Sequence, residues 1–129
     1  MRRTSTLLAL PAALAGLAGV ALVTVPADAS AARARTTVTI RADGVELSGT
    51  VSSPRPAKCA KGRLVVVFQQ KGVRGGGDDV RVASDVTERD DGRYEWETGN
   101  TGLEGRFYAK VRRTPHCKAD TSPTVRAVR

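Results

Sequence analysis

Between residues 36 and 51 the chain reads TTVTIRADGVELSGTV, with apolar side chains at every second position. A period of two sends successive side chains to opposite faces of an extended strand. Val38 and Ile40 therefore share one strand face, and Val45, Leu47, Gly49 and Val51 share another. Asp43-Gly44 between them supplies the backbone freedom of a two-residue hairpin turn. The pattern continues down the chain. RLVVVFQQ (63–70) is apolar on both faces, as a central strand covered on two sides requires. VRVASDV (80–86) alternates, and Asp91-Gly92 turns into RYEWET (93–98). GNTG turns into EGRFYAKVR (104–112), which puts Phe107, Ala109 and Val111 on one face, and TVRAVR (124–129) is the expected edge strand. SSPRPAKCAKG reads as a loop because Pro54 and Pro56 withhold ladder donors. KGVRGGGDD reads as a flexible loop, and TPHCKADTSP as a further loop. About seven short strands at regular spacing predict an all-β antiparallel sandwich, in one domain over 37–129.

The N-terminus obeys a different rule. Arg2 and Arg3 precede an uncharged run of Leu, Ala and Val from Leu7 to Val25, followed by the small residues Ala27, Ala29 and Ala31. Basic start, apolar middle and small-residue exit are the three parts of a secretory signal peptide. We expect it over 1–29, with cleavage after 31 as the alternative and a disordered lead-in over 30–36. Pro11, Gly16 and Gly19 interrupt the run and argue against a permanent membrane anchor. RRTSTLL matches the twin-arginine pattern poorly, which favours the general secretory route. No apolar stretch closes SPTVRAVR, so the expectation is a secreted, extracellular chain with no transmembrane segment after cleavage.

Export sets the redox context. The chain has two cysteines, Cys59 and Cys117, and outside the cytosol such a pair is expected to form one disulfide. They lie 58 residues apart. Closing a loop of that length removes about 4 kcal/mol of unfolded-chain entropy. A zinc site is disfavoured, because only His116 is available to join them and four ligands are the rule.

Charge restricts the partners. Lys and Arg number 21 against 13 Asp and Glu, for a formal net charge of +8. Removing Arg2, Arg3 and Asp28 with the leader leaves the chain strongly basic. Positive residues crowd Arg33 to Arg63 and Arg106 to Arg129, while acids crowd Asp78 to Glu97. If the basic stretches lie side by side they form one positive face. Its candidate anion-binding residues are Arg55, Lys58, Lys61 and Arg63 from the first stretch and Arg106, Lys110, Arg112, Arg113 and Lys118 from the second. Such a face attracts anionic polysaccharide, wall polymer or extracellular nucleic acid by salt-sensitive steering. A purely solubilising surface is the competing reading.

From Leu64 to Arg112 the chain resembles the small prealbumin-like sandwiches typified by the carboxypeptidase regulatory domain and the B-type repeats of collagen-binding adhesins. The likeness lies in the VVV strand, the glycine loop, the hairpin SDVTERDDGRYEW and the strand EGRFYAKV. It implies an Ig-like or prealbumin-like sandwich and a structural, adhesive or accessory role, with no shared active site. GGGDDVRVAS replaces the usual small-residue run before the hairpin, and the cysteine pair is not a family feature.

Other residue groups suggest chemistry, each with a plainer reading beside it. Tyr94 and Trp96 share a strand face and would suit a sugar platform, but the chain has one Trp, two Tyr and two Phe, and its core needs them. Arg93, Glu95 and Glu97 would then face water. Asp78, Asp79, Asp85, Glu88, Asp90 and Asp91 are numerous enough for calcium, yet their spacing fits turns better than a calcium loop. A small ribonuclease would use Glu95 or Glu97 as base and His116 as acid across a cleft. A secreted inhibitor would present loop 71–79, although three successive glycines weaken such a loop through its ordering cost. The sequence favours a non-catalytic extracellular module with no cofactor, no metal and no catalytic residues. A protein-binding inhibitor stands second and a small secreted ribonuclease well behind.

Overall fold

The computed structural model describes residues 32–129, so the leader expected over 1–29 and its alternative end at 31 lie outside the described residues. Period-two patterning becomes two antiparallel sheets. Sheet I contains β1 (Thr37–Val38), β2 (Arg41–Asp43), β3 (Glu46–Ser52), β6 (Glu88–Asp90) and β7 (Arg93–Asn100), in the order β1-β3-β7-β6 with β2 also on β3. Sheet II contains β4 (Leu64–Gln70), β5 (Val80–Val86), β8 (Gly105–Val111), β9 (Asp120–Thr121) and β10 (Val125–Ala127), in the order β10-β8-β4-β5 with β9 also on β8. One helical turn, α1 (Pro56–Cys59), links β3 to β4. The all-β sandwich read from the sequence is therefore the fold, and it is compatible with an Ig-like architecture.

All seven expected strand segments form, and the departures have local causes. The stretch 36–42 divides into β1 and β2 at Thr39, whose carbonyl accepts a hydrogen bond from Trp96 Nε1 at 3.1 Å. Gly49 makes this approach possible: a Cβ there would sit 1.9 Å from Thr39 O and 2.8 Å from Trp96 Nε1. The Pro54–Pro56 loop contains α1 because Pro56 occupies the first turn, where a missing N–H costs nothing. The stretch 30–36, expected to be a disordered lead-in, is tied down in its described part. Ala34 bridges Cys117 in parallel, donating to His116 O at 2.9 Å and accepting from Lys118 N at 2.8 Å.

The core lies between the sheets and uses the residues whose parity marked them. Val38, Leu47 and Val51 of sheet I meet Val65, Val67, Phe107, Ala109 and Val111 of sheet II, each no more than 2% exposed. Trp96 is 1% exposed and belongs to this cluster, and Tyr94 packs against it, so the aromatic pair serves the core. Burying one such ring contributes about 1.5–3 kcal/mol.

Two carboxylates close the long edges. Asp85 on β5 accepts the Glu97 amide of β7 at 2.9 Å, and Asp120 on β9 accepts the Val38 amide of β1 at 2.8 Å. Each bridges one sheet to the other where a ladder partner is absent. At one end of the sandwich Cys59 and Cys117 form the expected disulfide, joining α1 to the β8–β9 connection.

Candidate anion-binding face

Strand parity sorts every charge on the sandwich. In sheet II, Val65, Val67, Phe107, Ala109 and Val111 point inward, so the residues between them point out. The outward charged positions on its strands are Arg81 on β5, Arg106 and Lys110 on β8, and Arg126 on β10. Among the described residues no Asp or Glu shares these outward strand positions. Arg106 and Arg126 are direct cross-strand partners. Like charges placed this way sit about 5 Å apart at Cβ and destabilise a sheet.

The outer face of sheet I has the opposite sign. Glu95 pairs with Thr50 and Glu97 with Ser48, both outward, and Glu88 lies directly across from Glu95. Asp43 faces Glu46 across the β2–β3 hairpin. Arg41, which donates to Ser48 Oγ at 3.1 Å, and Arg93, opposite Asp90, are the outward cations there.

The predicted anion-binding residues divide into three groups. Lys58 lies in α1 with Arg55 and Lys61 on either side of it, and Arg113 and Lys118 lie in the β8–β9 connection; the disulfide draws these two segments together, and all five are exposed. Arg112 continues the alternation of β8 and joins that pole to the sheet face. Arg106 and Lys110 stand on the face itself, beside Arg81 and Arg126, which sequence reasoning did not single out. Their outward parity was legible, but the strands they sit beside were not.

Arg63 corrects the expectation. It is 5% exposed and spends its guanidinium on the fold. Nη1 donates to Thr36 Oγ1 at 3.1 Å and Cys59 O at 2.8 Å, and Nη2 donates to Arg112 O at 2.7 Å. Burial lowers its pKa from the ordinary 12.5. The signal was available: Arg63 is two residues before the inward Val65 and shares its parity.

Loop 71–79, expected to be flexible, is held against the basic face. Asp79 accepts from Lys71 N at 3.3 Å, Gly75 N at 2.8 Å and Tyr108 Oη at 2.5 Å. Arg74 lies over the Tyr108 ring, 5.7 Å from its centroid, and donates to Ser122 O. The Tyr108 hydrogen bond is the main reason the Asp79 carboxyl titrates below its ordinary 3.8. Burial first, then Asp79, push Tyr108 up to about 12. Between loop and sheet runs an open groove of about 400 Å³, lined by Phe68, Arg74, Gly75, Gly77, Asp79, Tyr108, Lys110 and Thr121, so the Asp79 carboxylate lies among its cations. A second hollow of about 490 Å³ at the far end, between Asp43, Glu46, Asn100 and Arg129, has mixed charge.

The remaining candidates do not converge. Asp79 and Asp85 hold backbone amides, and among the described residues no three His, Cys, Asp or Glu side chains gather as metal ligands. His116 is exposed beside the disulfide, whereas Glu95 and Glu97 stand on sheet I. Among the described residues no helix is long and apolar enough to cross a membrane.

Neither the protein-family models nor the curated proteins contain a match to this chain.

Proposed function

We propose that the protein is a secreted, non-catalytic extracellular module that binds an anionic extracellular polymer through the outer face of sheet II and the adjoining disulfide pole. The observation that carries this reading is the direct pairing of Arg106 with Arg126 on a face whose outward strand charges are all positive. A surface serving only solubility has no reason to bear the repulsion of that pair, since mixing signs serves solubility as well. Arginine suits such a role because its planar fork meets carboxylate, sulfate or phosphate oxygens bidentately. The leader-like N-terminus and the disulfide support an extracellular setting. The finer likeness to the prealbumin-like, carboxypeptidase-regulatory and adhesin B-type sandwiches belongs to the same reading. It is supported by the DDGRYEW turn between β6 and β7 and by EGRFYAKV on β8.

Chromatography on a sulfated polysaccharide resin in a salt gradient tests the proposal. Wild type is expected to be retained at low salt, and the Arg106→Glu/Arg126→Glu variant to elute substantially earlier with its fold intact by circular dichroism. Equal elution of the two proteins overturns the reading.

A further inference from the structure

The two outer faces are complementary to each other, and each sets like charges directly across from one another. Sheet II sets Arg106 against Arg126, and sheet I sets Glu88 against Glu95 and Asp43 against Glu46. On each face the charges reach both ends of the sandwich: Arg81 and Arg106 to Lys110 on one, Asp43 and Glu46 to Glu88 and Asp90 on the other. We infer that a second copy of this chain docks its acidic sheet I face onto the basic sheet II face of the first. A second copy is the one occupant whose chemistry the structure itself supplies, since each molecule carries both halves of the contact.

The symmetry follows from which faces meet. Sheet I on sheet II is a heterologous contact, which leaves an unsatisfied face at either end and propagates instead of closing into a dimer. Sheet twist makes the resulting stack helical. The strength follows from area. The long strands, β4, β5 and β8 of seven residues on sheet II and β3 and β7 of seven and eight on sheet I, are flanked by edge strands of two or three. At about 4.8 Å between strands the face is therefore at most roughly 19 by 23 Å and buries no more than about 900 Å² over both partners. That lies at the weak, transient end of protein interfaces, below about 1,200 Å². Its charges are exposed, so the association is governed by ionic strength. An anionic polymer on sheet II occupies the same face and competes with stacking. The inference does not rest on polymer binding, because it needs only the charges of this chain.

Sedimentation velocity across a concentration series tests it. At about 10 mM ionic strength, where the screening length is about 30 Å, the weight-average mass is expected to rise with concentration past that of a dimer. At about 1 M, where the screening length is about 3 Å, it is expected to return to that of the monomer. Two variants separate docking from misfolding. Arg106→Glu/Arg126→Glu abolishes the net positive charge of the sheet II face, leaving only Arg81 and Lys110 against the two new acids, and Glu95→Lys/Glu97→Lys abolishes the net negative charge of sheet I. Each alone is expected to stay monomeric, and an equimolar mixture is expected to regain association. Wild type that remains monomeric at low salt overturns the inference, as does association indifferent to either variant or a mixture that stays monomeric. Because Glu95→Lys/Glu97→Lys leaves sheet II untouched, its retention on the sulfated resin is expected to survive. A protein that binds resin without self-associating therefore removes this inference alone.

Discussion

The inner and outer surfaces of the two sheets differ in what they share. Inward, sheets I and II are alike: Val38, Leu47, Val51 and Trp96 meet Val65, Val67, Phe107 and Val111, and all are buried. Outward they are opposites, Glu88, Glu95 and Glu97 on one and Arg81, Arg106, Lys110 and Arg126 on the other. Packing demands only that the inner faces be apolar and fit, so it leaves the outer positions open. The segregation of sign on those positions, with like charges across from each other, is therefore a property that the fold does not require. The comparison of Arg63 with Arg126 makes the same point in one residue type. The first is buried and laces Thr36, Cys59 and Arg112 together; the second is exposed and repels its neighbour.

The largest way to break the contrast is to cut the tie at the basic pole. Replacing Cys59 and Cys117 together by alanine is expected to cost about 4 kcal/mol. For a domain of this size that lowers the melting temperature by roughly 15–30 °C, as calorimetry or thermal circular dichroism will measure. Resin retention should fall too, because the α1 cations and those of the β8–β9 connection lose their common anchor.

Next in size is the arginine pair. Arg63→Leu leaves buried acceptors unpaired and is expected to destabilise by about 3 kcal/mol in urea denaturation. Arg126→Glu converts a repulsive cross-strand pair into an attractive one and is expected to stabilise by about 0.2–1 kcal/mol, while weakening retention on the anionic resin. A gain in stability with a loss of binding is what a face shaped by function predicts. If Arg126→Glu leaves both quantities unchanged, the face is only a solvated surface.

The smallest effect concerns the latch on loop 71–79. Tyr108 is raised to about 12, so what its bond to Asp79 contributes is complete below the ordinary 10.0 and lost as pH climbs through about 12. Asp79 is depressed, so its share is complete above 3.8 and disappears as pH falls through the lowered value. Ultraviolet titration should find one tyrosine ionising near pH 12. Asp79→Asn should bring it down without returning it fully to 10.0, because burial, the first cause, remains.

Much of the fold was legible because alternation reports burial directly. Parity placed Phe107, Ala109 and Val111 in the core, and the Asp-Gly pairs placed both hairpins. The short elements were not legible. β6 and β9 are only three and two residues long, too few to show a period, and both depend on neighbours that local sequence does not specify. The division at Thr39 arises from Trp96, 57 residues away. For the site, the sequence identified basic stretches but not their assembly. Arg81 and Arg106 come to one face only through β4, which pairs with both β5 and β8. Arg63 reads as a surface cation only from its place in a basic stretch, whereas its parity with Val65 points inward.

The most direct measurement maps where an anionic oligosaccharide lands. In a nuclear magnetic resonance titration of the ¹⁵N-labelled protein at low salt, amide shifts are expected on β4, β5, β8, β10 and the segments around Cys59 and Cys117, with the outer positions of β3 and β7 unmoved. Shifts centred on sheet I, or none anywhere at saturating ligand, contradict the assignment of the basic face as the binding surface.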